Sequence, residues 1–468
     1  MANYDRENPV SWSAEFRATL GLAWPLIIAQ LAGSMLFVTD VIMMGRLGPD
    51  ELAAGALATA LLHPVFLGAL GVVTATAPLI AQAIGARETR NVRRYVRQGF
   101  WAATAMMALI APILLNSERI FLSLGQPPGI AALSQTYLNY AVYAAWPGLL
   151  IIALRSLLQA RGKSSVVLWI TVVGVFVNAL GNYALMFGNF GFPRLELAGA
   201  GISTSIVNFV MFALALLYVL FHRRFRRYHI LLRLYRPDWQ KLREIFRIGT
   251  PIGLTIMSEV GMFGVAVIMM GWLGTSEVAA HAIAGQCAAI AFMVPLGLSQ
   301  ATTVRVGLAT GANMPENVRK AGWTSMGLTL GFMSATCVLF LSVPGFFVSL
   351  FLDPSQPGTA LSLMLAASYL MIAALFQLVD GAQCIMAAAL RGMSDTRTPM
   401  LTALTGYWLV GLSTAYVCGF MFGLRGVGIW IGLASGLAFV AIVLTARFAI
   451  RERLNLMQGA RARLVAAS

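Results

Sequence analysis

Three acidic side chains, Asp40, Glu259 and Asp380, lie inside apolar runs that are long enough to cross a membrane. We place every other Asp and Glu in a loop or at the end of a predicted helix. A carboxylate in the membrane interior costs several kcal/mol, so such residues usually face a protein interior or a wet cavity and mark an ion or substrate path. No Lys or Arg accompanies the three at comparable depth, and desolvation disfavours the charged carboxyl form. We therefore expect them to load and release a proton or to bind a cation.

Amide side chains on nearby segments are candidates for completing such sites. They are Gln30, Asn178 and Asn182 in the first half of the chain and Gln286, Gln377 and Gln383 in the second half. An amide within a membrane can equally serve to join two helices.

Flexible and aromatic side chains on the same segments are candidates for an apolar binding pocket. They are Met35, Met257, Met262, Phe263, Phe292, Met293 and Phe376. Methionine suits a pocket that accepts varied ligands, although all of these side chains are also ordinary on a surface that faces lipid.

The elements that carry these residues are predicted to be transmembrane helices. The chain is 59% hydrophobic and only 11% charged, whereas a soluble domain carries about 25% charged residues. Apolar runs long enough to span a hydrocarbon core of about 30 Å cover residues 17–45, 52–84, 93–115, 130–160, 165–189, 197–221, 245–272, 277–309, 320–347, 359–390, 398–421 and 425–450. The sequence thus predicts an all-α polytopic membrane protein with twelve transmembrane helices.

An internal duplication divides these helices into two sets of six. An ungapped alignment of residues 25–94 with residues 251–320 gives 25 identities in 70 positions, including VIMMG at 41–45 and 267–271. Because six is an even number, both halves enter the membrane from the same side and form pseudo-symmetric parallel six-helix bundles. We expect an N-terminal lobe at 1–221, a connector at 222–244, a C-terminal lobe at 245–450 and a tail at 451–468.

The acids are not duplicated with the scaffold. Asp40 aligns with Ala266, Glu259 aligns with Gly33, and Asp380 falls opposite about Leu150. Each half has therefore acquired its own ionisable group, and we expect the two lobes to differ in what they bind.

The distribution of basic residues predicts the orientation. All 33 Lys and Arg except Arg46, Arg119, Arg194 and Arg425 fall on one side of the twelve runs. By the positive-inside rule this side is cytoplasmic, so both termini are expected in the cytoplasm. The net charge of +15 follows from this topology, and without a folded basic domain we expect no nucleic-acid partner. The connector either lies on anionic lipid or is a solvated linker.

Several motifs resemble those of the multidrug and toxic compound extrusion (MATE) transporters, in particular the NorM branch. They are DVIMMGRLG at 40–48, APLIAQAIGA at 77–86, QARGKS at 159–164, NALGNYALMFGNFGFP at 178–193, LAGAGIST at 197–204 and ALRGMSDTRTP at 389–399. The resemblance covers residues 17–450. It implies two six-helix bundles that form a V around a central cavity, and export of organic cations against an inward flow of sodium ions or protons.

The resemblance also implies roles for individual residues. Asp40 resembles the first-helix Asp linked to proton coupling, with Asn178 and Asn182 as its neighbours. Glu259 and Asp380 resemble the acids of the seventh and tenth helices that serve cation binding, where sodium could bind transiently. Phe376 stands where sodium-dependent relatives have a Tyr, and its lack of a hydroxyl oxygen puts sodium coupling in doubt.

We therefore expect a monomeric secondary antiporter of the inner membrane that exports amphipathic, mostly cationic compounds. It would need no cofactor beyond a coupling proton or sodium ion, no resident metal and no obligate protein partner, and would contact membrane lipid. The four Cys and four His do not cluster, and no catalytic group of a membrane enzyme stands out in the loops.

An exporter of metabolites or a flippase of lipid-linked precursors is the alternative. A flippase calls for a basic cavity, and Arg155 is the one notable basic residue that we place inside a helix.

Overall fold

The computed structural model of the protein describes residues 10–232, 234–351 and 360–457, and in these ranges it contains helices and no β-strand. Twelve of the helices are long and apolar enough to cross a membrane, which confirms the predicted all-α class. We number them α1 (Trp12–Gly45), α2 (Pro49–Gly85), α3 (Thr89–Leu115), α4 (Pro128–Ala160), α5 (Ser164–Leu185), α6 (Glu196–Phe221), α7 (Trp239–Leu273), α8 (Thr275–Gly311), α9 (Pro315–Ser342), α10 (Leu361–Gly392), α11 (Arg397–Met421) and α12 (Arg425–Ala449).

The helices differ from the predicted apolar runs mainly at their ends. Helices α1 and α7 begin at Trp12 and Trp239, several residues before the apolar runs begin, because their first turns carry charged side chains that are paired inside the protein. Helix α9 ends at Ser342, and a separate short helix, Pro344–Ser349, follows it. Proline favours the first position of a helix, where its missing N–H is not needed.

Two of the spanning helices are irregular. Helix α2 consists of α-helical segments Pro49–Thr74 and Thr76–Gly85 with a turn at Ala75. Helix α11 is π-helical over Thr405–Leu412 and Val417–Met421, with one α-helical turn between these segments. Short π-helical segments are rare and often mark functional sites.

The chain forms two compact units. The N-terminal unit extends from Ile28 to Gly253, and the C-terminal unit contains the described residues up to Ile27 and those from Leu254 onward. The beginning of α1 thus belongs to the C-terminal unit, and the beginning of α7 belongs to the N-terminal unit. The first turns of α1 therefore pack with the second sequence repeat, and the first turns of α7 pack with the first sequence repeat.

A close helix contact that depends on glycine occurs in both units. In the N-terminal unit, a Cβ added to Gly71 would lie 2.5 Å from the Cα of Gly253. In the C-terminal unit, a Cβ added to Gly297 would lie 2.8 Å from the Cα of Ile27. Gly71 corresponds to Gly297 in the sequence repeat, and Ile27 corresponds to Gly253. The duplicated glycine therefore allows α2 and α8 to pack closely against the exchanged parts of α7 and α1.

Buried charges hold the same exchanged turns. Arg305 of α8 donates through Nε to Oε1 of Glu15 over 2.8 Å, and its Nη2 pairs with Oε2 of the same carboxylate. In the repeat, Lys241 occupies the position of Glu15. Its Nζ lies 2.9 Å from the hydroxyl of Tyr95 and 3.6 Å from a carboxylate oxygen of Glu244. Both positions bury a charge with a partner, but the charges have opposite signs.

The burial of Arg305 corrects one sequence-based interpretation. Arg155 is not the only notable basic residue within a spanning helix, because Arg305 lies within α8 and is 1% exposed. Arg305 was overlooked since its partner, Glu15, precedes the first apolar run and looks like a solvated residue in the sequence.

Candidate functional site

The first candidate site surrounds Asp40, in the part of α1 that belongs to the N-terminal unit. Its Oδ1 accepts hydrogen bonds from Nδ2 of Asn182 over 2.6 Å and from Nδ2 of Asn178 over 2.9 Å. Residues 178 and 182 lie one turn apart on α5 and therefore share one face of the helix. The structure thus brings together the three residues that the sequence grouped.

The two asparagines are almost fully buried, whereas Asp40 is partly exposed. Within the described ranges, the amide oxygens of Asn178 and Asn182 accept no hydrogen bond, and no basic side chain forms an ion pair with Asp40. A carboxylate held by two N–H donors is fixed in orientation, while its Oδ2 takes no hydrogen bond from the described residues. This arrangement can exchange a proton or hold a small cation.

Tyr137 of α4 lies close to this site and was missed by the sequence analysis. Its side chain is 3% exposed, and the charge of Asp40 acts on its hydroxyl. A single Tyr in an apolar run carries no signal that distinguishes a site neighbour from a packing residue. The proximity of Tyr137 to Asp40 is visible only once α1 and α4 are placed.

The second candidate site, in the C-terminal unit, contains Glu259 of α7 and Asp380 of α10. The two carboxyl groups interact electrostatically with one another. Asp380 is buried, and its Oδ1 accepts a hydrogen bond from Nε2 of Gln383 over 3.3 Å. The Oε1 of Gln383 in turn accepts from the hydroxyl of Tyr407 over 2.8 Å, which lies in the first π-helical segment of α11. Two neighbouring carboxylates share a proton or a cation more readily than both remain bare anions.

Glu259 itself takes part in no hydrogen bond or ion pair among the residues that the structure describes. The guanidinium of Arg391, near the end of α10, acts electrostatically on Glu259 without an ion pair. The sequence analysis placed no Lys or Arg at the depth of these acids, and Arg391 acts on Glu259 from the end of α10. Arg391 was missed because it falls at the end of its apolar run, where a basic residue is usually solvated.

Aromatic side chains surround Phe376, four residues before Asp380. Its ring is 3% exposed and packs edge-on against Phe263 and Trp430, with ring centroids 6.1 and 5.5 Å apart. Trp430 also contacts the ring of His281. This position next to Asp380 is thus filled by hydrocarbon and offers no oxygen ligand.

The remaining predicted residues have varied surroundings. Gln377 is buried, and within the described part of the chain neither atom of its amide is hydrogen-bonded. Met262 is fully buried, whereas Met35 and Met257 are nearly half exposed. Those that are partly buried are Gln30, Phe263, Phe292 and Met293, and Gln286 is exposed. Their roles in a site or pocket stay predictions.

Two acids predicted at helix ends turn out to be buried there. Besides Glu15, Glu277 at the start of α8 is 2% exposed. It accepts a hydrogen bond from the hydroxyl of Tyr369 and another from Nε of Arg425 over 2.9 Å. Unlike Asp40, Glu259 and Asp380, these acids have cationic partners, so we interpret them as structural.

Comparison with known proteins gives consistent matches. A family model described as MatE matches residues 25–184 and 251–417, one segment in each copy of the repeat. The chain is 45% identical over 439 residues to the "Probable multidrug resistance protein NorM" of Brucella suis biovar 1 (strain 1330), covering 93% of both chains. It is 44% identical over 445 residues to the protein of the same description from Mesorhizobium japonicum (strain LMG 29417 / CECT 9101 / MAFF 303099), covering 95% of both.

Solved structures agree in fold. The eukaryotic MATE transporter AtDTX14 superposes with a TM-score of 0.86 at 21% identity, covering 98% of this chain and 100% of that chain. A mutant of the Vibrio cholerae MATE transporter VcmN superposes with a TM-score of 0.86 at 20% identity, covering 95% of this chain and 99% of that chain.

Proposed function

Because the chain belongs to the MATE family of multidrug efflux transporters, we propose that it is an antiporter that exports amphipathic, mostly cationic compounds in exchange for an inward-moving ion. We place it in the inner membrane as a monomer with both termini in the cytoplasm. The observation that carries the proposal is that Asp40, Glu259 and Asp380 form no ion pair within the described residues. Their negative charge is therefore available to a proton, a metal cation or a cationic compound.

Competition for these carboxylates supplies the coupling. When Glu259 and Asp380 hold a cationic compound, they have no capacity for the coupling ion, and the reverse is also true. Binding of the ion then favours release of the compound, since a ligand shifts an equilibrium only by its differential affinity. A membrane potential of 100 mV contributes about 2.3 kcal/mol for each charge that moves inward.

Protons suit the second site better than sodium ions do. Sodium is a hard cation that needs several oxygen ligands, but Phe376 offers none and Gln383 directs its N–H group at Asp380. The oxygen of the Gln383 amide is engaged by Tyr407. A proton needs only one carboxylate oxygen, so we propose proton coupling, with sodium as the alternative.

Transport by inverted membrane vesicles tests this function. Ethidium uptake is measured with an imposed proton gradient and, separately, an imposed sodium gradient. We expect a response to the proton gradient, and at least a ten-fold lower rate in Glu259→Gln and in Asp380→Asn, since each removes an ionisable group from the site. The matched control is Glu196→Gln, which neutralises a half-exposed acid and leaves the rate unchanged. Unaltered transport by both site variants would refute the assignment, and a response to sodium alone would refute proton coupling.

A further inference from the structure

Two arginines meet at one buried tyrosine just beyond the end of α4. Arg161 follows the last residue of α4 and donates through Nη2 to the hydroxyl of Tyr228. Arg227 donates to the same hydroxyl over 3.4 Å. The Cζ atoms of both guanidinium groups lie 5.3 Å from the centroid of the Tyr228 ring, which is 1% exposed. The two cations are therefore held in place by a shared partner, which distinguishes them from mobile surface arginines.

A third arginine, Arg224, adds positive charge near Arg161. Burial, and then the positive charges of Arg227 and Arg224, lower the pKa of Arg161 to about 10, so it remains protonated at neutral pH. Within residues 10–232, 234–351 and 360–457, no Asp or Glu forms an ion pair with any of the three. Like charges held together without an acid repel one another. An anion between them would remove that repulsion and would gain several charge-assisted hydrogen bonds.

The arginine cluster, Arg161, Arg224 and Arg227, lies where two spanning helices leave the membrane. Arg161 is the residue after α4, Arg224 lies in the short helix Arg223–Arg226 that follows α6, and Arg227 is the residue after this short helix. A cluster at the ends of two spanning helices is expected at the depth of lipid headgroups. Arginine is well suited to phosphate because its planar fork can donate two parallel hydrogen bonds.

An apolar groove adjoins the same segment. It has a volume of about 450 Å³ and is lined by Val219, Leu220, Phe225, Arg226, His229, Ile230, Leu231 and Leu232. Phe221, Leu231 and Leu232 present exposed hydrocarbon at this end of α6. A ligand that complements both features needs an anionic group and a hydrocarbon chain.

We propose that Arg161, Arg224 and Arg227 bind the phosphate group of an anionic phospholipid, with an acyl chain lying in the adjoining groove. This site is separate from the carboxylates of the transport proposal, and lipid binding does not depend on that proposal. The occupant is a lipid rather than a soluble phosphate because the arginines and the hydrocarbon surface occur on one segment at the membrane boundary. With its arginines held in place beside an apolar groove, this part of the connector would bind one lipid at a defined site. Such binding is more specific than general attraction to a charged membrane surface.

Native mass spectrometry of the purified full-length protein in detergent tests the site. Dioleoyl phosphatidylglycerol is titrated against dioleoyl phosphatidylcholine, with inorganic phosphate in a third series. We expect tight binding of phosphatidylglycerol alone, and an apparent dissociation constant roughly five-fold higher in Arg161→Gln and in Arg227→Gln. The matched control, Arg223→Gln, removes an equal charge from the short helix that precedes Arg227 and is expected to change the constant by less than about two-fold.

Two results would overturn the proposal. Equal weakening by Arg223→Gln and Arg227→Gln would indicate diffuse attraction to a basic segment. Inorganic phosphate that binds as tightly as phosphatidylglycerol would indicate a site for a free anion. Arg227 is exposed, so we expect Arg227→Gln to fold normally even if Arg161→Gln does not. The melting temperature of each variant verifies that it is folded.

Discussion

Removal of Arg305 should destabilise the C-terminal unit far more than removal of a surface charge. Arg305→Met takes away both hydrogen bonds to Glu15, whose carboxylate is 0% exposed. Breaking a buried ion pair from one side costs about 3–5 kcal/mol, because the remaining buried charge loses the opposite charge that compensated its desolvation. We therefore expect the free energy of unfolding to fall by this amount.

The double variant Glu15→Leu with Arg305→Met separates the charge effect from lost packing. Replacing both members of a buried pair by hydrophobic residues is often neutral or stabilising, so the double variant should be more stable than Arg305→Met. The control, Glu316→Gln, disrupts a half-exposed pair with Arg319 and should leave the stability nearly unchanged, because solvent screens exposed ion pairs.

Thermal unfolding of the purified variants in detergent provides the measurement. At about 2–4 °C per kcal/mol for a unit of this size, Arg305→Met should lower the melting temperature by roughly 6–20 °C, and the double variant should recover most of that loss. A double variant as unstable as Arg305→Met would refute the reasoning, since the loss of stability would then come from altered packing rather than from a buried charge without its opposite charge.

Two further changes test packing and hydrogen bonding. Gly71→Ala places a methyl group 2.5 Å from the Cα of Gly253 and should lower the free energy of unfolding by about 1–3 kcal/mol. Gly21→Ala, where the added group meets open space, should not lower it, and equal melting temperatures for both variants would contradict the packing argument. Tyr369→Phe removes a hydrogen-bond donor from buried Glu277 and should cost about 1.5–3 kcal/mol in the same melting assay. An unchanged melting temperature would show that the hydroxyl does not stabilise Glu277.

The sequence predicts only part of the Asp40 site from local information. Asn178 and Asn182 are four residues apart, so a helical α5 must place them on one face, whereas their contact with Asp40 was implied only by the family resemblance. The sequence could not indicate Tyr407 as the partner of Gln383, since that contact depends on the π-helical turn of α11. Hydrophobic periodicity does not distinguish a π turn from an α turn.

Charged residues near helix ends show a second limit of prediction from sequence. Glu15, Glu277 and Arg391 all fall where a sequence cannot distinguish a solvated charge from a buried one. Burial there is decided by a partner far along the chain, as Arg305 is for Glu15. The number and order of the spanning helices can be predicted from the apolar composition of the segments alone. These ion pairs and hydrogen bonds can be identified only in the packed structure.

The exchange of helix ends between the units has a consequence for biosynthesis. The N-terminal unit extends to Gly253, so it cannot be completed when the ribosome finishes α6. The C-terminal unit includes the first turns of α1, which are made first but must wait for their partners. Arg305 follows Glu15 by 290 residues, a delay of roughly 15–60 s at ordinary rates of translation. A chaperone or the insertion machinery that shields Glu15 during this interval would therefore determine the yield of correctly assembled protein.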